Sequence, residues 1–162
     1  MSDRPVTVLT LPDVGIADGR SALRRLVEVA ADRGAGSAHR GDDGSARTWL
    51  VLGELDAADG DVQQSVVDHD LLGRAAVRLA IDKVVCVGQS RAVRAAHQGA
   101  VMEGSWGDEA LLVDDTTALV QRWGGATGDV PGAGDVIAVL GAVDTDRLLA
   151  ALGERDLVVS PI

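Results

Sequence analysis

The chain has 162 residues, of which 46% are apolar, and it lacks Phe and Tyr, so we expect one α/β domain with an aliphatic core over residues 1–162. Its formal net charge of −10 argues against nucleic acid and anionic lipid as partners, because both need a basic surface. It has no apolar run of the roughly 20 residues that span a bilayer, no secretory signal and one cysteine, Cys86, so we expect a cytoplasmic protein without membrane insertion.

Short apolar runs alternate with helical patterns along the chain. Strands are predicted at residues 6–11, 47–53, 83–88, 110–113, 135–140 and 157–159. Helices are predicted at residues 18–33, with Asp18 as the N-cap, and at 62–80, 90–99, 116–123 and 144–152, while residues 34–46 are rich in Gly, Ser and Asp and indicate a loop. This alternation predicts an α/β fold with a Rossmann-like, mostly parallel sheet and helices on both faces.

The continuous apolar runs within these strands are typical of strands buried on both faces. They predict the following buried strand residues: Leu50, Val51, Leu52, Val84, Val85, Val87, Ile137 and Val139.

Four stretches from residue 47 onward carry a family resemblance. Residues 51–55 have the sequence VLGEL, and the next helix carries His69 and Gly73 in H-x-x-x-G spacing. Residues 79–88 (LAIDKVVCVG), 97–113 (HQGAVMEGSWGDEALLV) and 131–135 (PGAGD, before a strand) complete the set. In this order and spacing they resemble the C-terminal domain of the Mur ligases, in particular the actinobacterial UDP-N-acetylmuramoyl-tripeptide–D-alanyl-D-alanine ligases.

The resemblance implies a domain that, in the full ligase, closes over the ATP site and helps to place the incoming amino acid or dipeptide for peptidoglycan precursor ligation. This chain departs from the family at both nucleotide-facing signatures. The family's Asp-x-Tyr-Asn-Ala-Asn-Pro segment is replaced by residues 10–16 (TLPDVGI), with Asp13 where an asparagine is expected. The family's lysine after the late strand is replaced by Leu140, which can neither neutralise nor bind a phosphate.

The sequence shows no independent sign of a nucleotide, metal or catalytic site. It has no GxxxxGK[ST] phosphate loop, and its only lysine, Lys83, is expected in a solvated turn between a helix and a strand. His69 has acidic neighbours on both sides, but neighbouring helix residues point in different directions and form no acid–base array. The aspartates of residues 56–61 do not fit a calcium loop, and no zinc-ligand spacing occurs. We therefore predict no catalytic or metal-ligating residue and no cofactor bound by this chain alone.

These observations favour a stand-alone binding or regulatory module that is not catalytic alone and that engages a cell-wall ligase or a precursor. One alternative is the C-terminal part of a split ATP-dependent ligase, with ATP and Mg²⁺ held by separate ATP-binding Mur domains. Another is a small-molecule-binding protein of a different pathway.

Candidate ligand- or partner-binding residues lie where strands of the predicted sheet end, because ligands of open α/β sheets bind beyond the carboxyl ends of the strands. They are Gly53, Glu54, Gly88 and Gln89, with His69 on the intervening helix and Ser105 and Trp106 as a possible wall. Two alternatives stay open. The glycines can serve only the strand-to-helix turns, and Trp106 can pack inward on the sheet.

Overall fold

Parallel strands form the centre of the molecule in the computed structural model, which describes residues 5–12, 14–32, 46–57, 60–105, 107–125, 130–154 and 159–161. The strands are β1 (Val6–Leu11), β2 (Thr48–Leu52), β3 (Lys83–Val87), β4 (Ala110–Val113), β5 (Val136–Leu140) and β6 (Val159–Pro161). They lie in the order β4-β3-β2-β5-β1-β6, and each neighbouring pair is parallel. The predicted parallel sheet is therefore confirmed.

Helices follow the first five strands, as the alternating sequence pattern predicts. They are α1 (Ile16–Asp32), α2 (Val62–Arg78), α3 (Arg91–Glu103), α4 (Thr116–Gly124) and α5 (Thr145–Glu154), with a 3-10 turn at Gly107–Glu109. Side chains of Asp61, Ser90 and Asp115 cap the first N–H groups of α2, α3 and α4. In the described part of the chain, no helix combines the length and the apolar composition that crossing a bilayer requires.

The sheet has an apolar cluster on each face, which explains why its central strands are apolar throughout. Along β2, Leu50 and Leu52 face the cluster covered by α1, α2 and α3, whereas Trp49 and Val51 face the cluster covered by α4 and α5. All eight strand residues predicted to be buried are at most 3% exposed. Helices on both faces are therefore confirmed.

Two glycines allow α2 and α3 to approach each other at backbone distance. A Cβ atom on Gly73 would lie 2.0 Å from the carbonyl oxygen of Ala96, and one on Gly99 would lie 2.2 Å from that of Asp70. Neither position has room for a methyl group, so glycine is required by packing at both.

Three local predictions are wrong. Helix α1 begins at Ile16, so Asp18 lies in its first turn and is not the N-cap. Helix α3 continues beyond Gly99 to Glu103, because Gly99 is a contact point with α2 and not a helix end. Lys83 is not in a solvated turn: it is the first residue of β3 and is 9% exposed.

Two predictions are not tested by the structure. The predicted loop at 34–46 lies outside the described residues except for its last residue, and the single-domain assignment stays a prediction.

Candidate functional site

The carboxyl ends of β2 and β3 carry the two glycine turns predicted from the sequence. Gly88 has φ +136°, a left-handed conformation that favours glycine, and its N–H donates to the carbonyl of Val113. A Cβ on Gly53 would lie 2.4 Å from the carbonyl oxygen of Ala142. Both glycines thus have a structural reason that needs no ligand, and their predicted binding role stays a prediction.

Main-chain hydrogen bonds hold the loop after β5 against the ends of β1 and β2, at the edge where an open α/β sheet usually binds its ligand. The N–H of Gly53 donates to Leu140 at 2.8 Å, that of Ala142 donates to Glu54 at 3.0 Å, and that of Gly141 donates to Leu11 at 2.9 Å. The loop after β5 therefore bridges the ends of both neighbouring strands. Leu140, where the resemblance implies a lysine, is 0% exposed and belongs to the core.

His69 is buried beneath this edge and holds the loop after β2. The N–H of Leu55 donates to its Nε2 at 3.0 Å, so Nδ1 carries the proton of the neutral ring and donates to the carbonyl of Ser65 at 2.7 Å. The Ser65 hydroxyl lies 3.3 Å from the same Nδ1. Because that nitrogen is a donor, it cannot take the hydroxyl proton, and the pair is not an activated nucleophile.

A cleft of about 150 Å³ remains open between the loop after β2 and the start of α3. Its charged lining residues are Glu54 and Arg91, both exposed. Its other lining residues are Ala57, Val62, Ser65, Ser90 and Ala92. A carboxylate, a guanidinium group and small apolar groups around one cleft suit a small ligand that carries a positive and a negative charge.

The cleft includes only part of the predicted set. Glu54 lines it, and His69 supports it from below through Ser65. Gln89 is exposed but does not line it, and Ser105 is 6% exposed with its N–H bonded to the carbonyl of Ala100. Trp106 lies outside the described residues, so its role as a wall stays a prediction.

Sequence reasoning missed Arg91, which follows the N-cap of α3 directly. The signal was present in the sequence, because Ser90 after a strand and a glycine turn predicts a helix start. A cation at this position adds to the partial positive charge of the helix N-terminus, so this side of the cleft favours an anionic group.

Across the described ranges, no group of three or more His, Cys, Asp or Glu side chains is arranged to hold a metal ion. The buried acid Asp135 has main-chain and indole partners: it accepts from the N–H groups of Arg47 and Gly132 and from Nε1–H of Trp49. Its role is to hold the entry to β5 against β2.

Comparison with known proteins identifies mycobacterial ligases as relatives. The chain is 42% identical over 103 residues to the UDP-N-acetylmuramoyl-tripeptide–D-alanyl-D-alanine ligase of Mycobacterium leprae, a match that covers 62% of this chain and 19% of that ligase. It is 40% identical over 80 residues to the ligases of the same name from Mycobacterium tuberculosis and Mycobacterium bovis, covering 48% of this chain and 15% of each ligase. No family model matches, and no solved structure gives a significant match.

These matches confirm the predicted resemblance and its actinobacterial character. The chain spans about a fifth or less of the length of the curated relatives that it matches. The six-stranded parallel sheet agrees with the predicted Mur ligase C-terminal-like fold.

Proposed function

We propose that this chain is a binding module related to peptidoglycan precursor ligation and that it does not ligate by itself. The observation that carries the proposal is the environment at the end of β5. Where the resemblance implies a lysine, Leu140 is fully buried, and Gly141 after it is hydrogen-bonded to the end of β1. An ATP-dependent ligase must hold phosphate groups with cations and N–H donors, and these groups are engaged or absent at this position.

The open cleft supplies the binding part of the proposal. The relatives' name includes D-alanyl-D-alanine, a small zwitterion with two methyl groups. Glu54 would accept hydrogen bonds from its ammonium group, and Arg91 at the start of α3 would bind its carboxylate. The methyl groups would lie against Ala57 and Ala92. The ligand is then D-alanyl-D-alanine, or the end of a peptidoglycan precursor that carries both an ammonium group and a carboxylate.

Calorimetric titration with D-alanyl-D-alanine tests the cleft. We expect saturable binding that Glu54→Gln and Arg91→Gln each weaken by roughly tenfold, since each removes one charge-assisted hydrogen bond. Arg94→Gln is the matched control, because Arg94 is exposed one turn further along α3 and does not line the cleft. Equal weakening by all three variants, or no binding to the unchanged chain, would refute the binding part.

The catalytic part has its own assay. The purified chain, given ATP, Mg²⁺, UDP-N-acetylmuramoyl-tripeptide and D-alanyl-D-alanine, should release no phosphate and form no peptide product. Product formation by a clean preparation would overturn the proposal.

A split ligase is the second candidate, because the matched residues are 40–42% identical to those of ligases. In that case a separate chain with the ATP-binding Mur domains would hold ATP and Mg²⁺, and this chain would complete the site. Mixing the two chains distinguishes the candidates. A regulatory module co-purifies with the ligase and forms no product when it is mixed with the ATP-binding domains alone, whereas a split ligase forms product only in that mixture.

A further inference from the structure

A second cavity, of about 220 Å³, lies between α1 and α2, on the face covered by α1, α2 and α3, and shares no lining residue with the cleft at the strand ends. Leu23, Ala75 and Leu79 give it an apolar floor, and its three remaining lining residues are all arginines: Arg20, Arg24 and Arg78. Among the described residues, no acid lines it. In a chain with a net charge of −10, three guanidinium groups around one cavity are a local reversal of charge.

The three arginines differ in what they already bind. Arg78 donates to the carboxylate of Glu103, with Nε–Oε1 at 2.7 Å, so its charge is compensated. Arg20 and Arg24 form no ion pair with any described residue, although the next arginine, Arg25, pairs with Glu28 at 3.9 Å. Two guanidinium groups without an ion pair to any described residue therefore face the cavity from one helix.

The placement of these two charges opposes helix stability. Arg20 and Arg24 lie four residues apart on one face of α1, a spacing at which like charges repel. The last turn of α1, where the helix dipole favours a cation, has no basic residue. An anion between the two side chains would remove the repulsion.

We infer that this cavity binds a small phosphomonoester, with Arg20 and Arg24 on the phosphate and the apolar floor under the attached group. A phosphate dianion matches the charge of two guanidinium groups, and planar guanidinium groups bind phosphate oxygens in pairs. A cavity of about 220 Å³ is below the size of typical drug-sized sites, so the ligand is compact. The chain's negative charge disfavours a phosphate presented on an anionic membrane.

Calorimetric titration with phenyl phosphate and with inorganic phosphate at low ionic strength tests this site. We expect saturable binding of phenyl phosphate, with weaker binding of inorganic phosphate, because only the former covers the floor. Arg20→Gln and Arg24→Gln should each reduce the affinity for phenyl phosphate by roughly tenfold, the effect of losing a charge-assisted contact. Arg25→Gln, the same change one residue away, should leave the affinity within about twofold.

Circular dichroism melting confirms that each variant is folded, which is expected because all three arginines are exposed. The inference is overturned if phenyl phosphate does not bind at about 10 mM, if inorganic phosphate binds equally well, or if Arg25→Gln weakens binding as much as the lining variants. Glu54→Gln should not change phosphate affinity, so this site and the cleft of the proposed function fail or succeed separately.

Discussion

Two buried polar side chains, Asp135 and His69, hold main-chain segments in place. Asp135 is 3% exposed and accepts three hydrogen bonds, while His69 is 0% exposed and bonds through both ring nitrogens. A buried polar group that loses its partner costs much more than an average hydrogen bond contributes, so such residues are sensitive positions. His69 belongs to the family-like H-x-x-x-G spacing. Its hydrogen bonds to the main chain account for a histidine at this position without a catalytic role.

Replacing His69 by alanine should lower the free energy of unfolding by about 2–4 kcal/mol, because it leaves the Leu55 N–H unpaired and opens a cavity. Urea denaturation followed by circular dichroism gives the value. His97→Ala is the control: His97 is half-buried and has one bond, at 3.2 Å, to the carbonyl of Ala110, so about 1 kcal/mol is expected. A loss for His69→Ala no larger than that of the control would contradict the structural role.

The secondary-structure elements were predictable to the extent that their signals are local. The central strands were predictable because continuous apolar runs fit a sheet covered on both faces, and β4 agrees with its prediction to the residue. Strand β6 extends to Pro161, beyond the predicted end at Val159. The end of α3 was not predictable, since Gly99 normally disfavours a helix interior and only the neighbouring α2 gives it a role. Tertiary contact, which a single sequence does not display, decided that boundary.

The contact between α2 and α3 gives a sharp prediction for Gly73→Ala. The added methyl would meet the main chain of Ala96, which cannot turn aside as a side chain can, so the helices must move apart. We expect a loss of about 2–3 kcal/mol in the free energy of unfolding, the usual cost of overpacking. Thermal and urea denaturation measure it.

Gly153→Ala is the matched control, because Gly153 lies in helix α5 and a Cβ atom added there would meet no described neighbour within 4 Å. There the substitution should stabilise the protein by up to about 1 kcal/mol, the helix-propensity difference between the two residues. If both substitutions change stability with the same sign, close packing does not explain Gly73.

At the scale of the whole molecule, the strand ends could be located from the sequence. The turn that packs against them could not. The parallel fold brings Gly53 and Gly88 to one edge, as predicted. The turn at Gly141 and Ala142, which packs against Gly53 at that edge, is far from Gly53 in sequence, and small residues give no sign of which turn they will contact. The space at the strand ends therefore depends on contacts between segments that are distant in sequence.

The two faces of the sheet carry separate reporters of unfolding, which can test the single domain expected from the sequence. Trp49 and Trp123 meet edge to face, with centroids 6.0 Å apart, in the cluster under α4 and α5. Cys86 is buried in the other cluster, where burial raises the pKa of its thiol to about 12. The two reporters thus lie on opposite faces, and β5 joins the faces because Ile137 belongs to one cluster and Ala138 to the other.

Both faces should therefore unfold together in urea. Tryptophan fluorescence, measured in a Trp106→Ala background so that the buried pair gives the signal, should change at the same urea concentration at which Cys86 begins to react with a thiol reagent. At about pH 8.5 the folded thiol stays protonated and inert, whereas a thiol released by unfolding is partly thiolate and reacts. The free energy of unfolding should also decrease as the pH rises from 9 to about 12, because in that range the unfolded chain loses the Cys86 proton while the folded chain keeps it. Two separate midpoints, one for fluorescence and one for thiol reaction, would show that the two faces are not one cooperative domain.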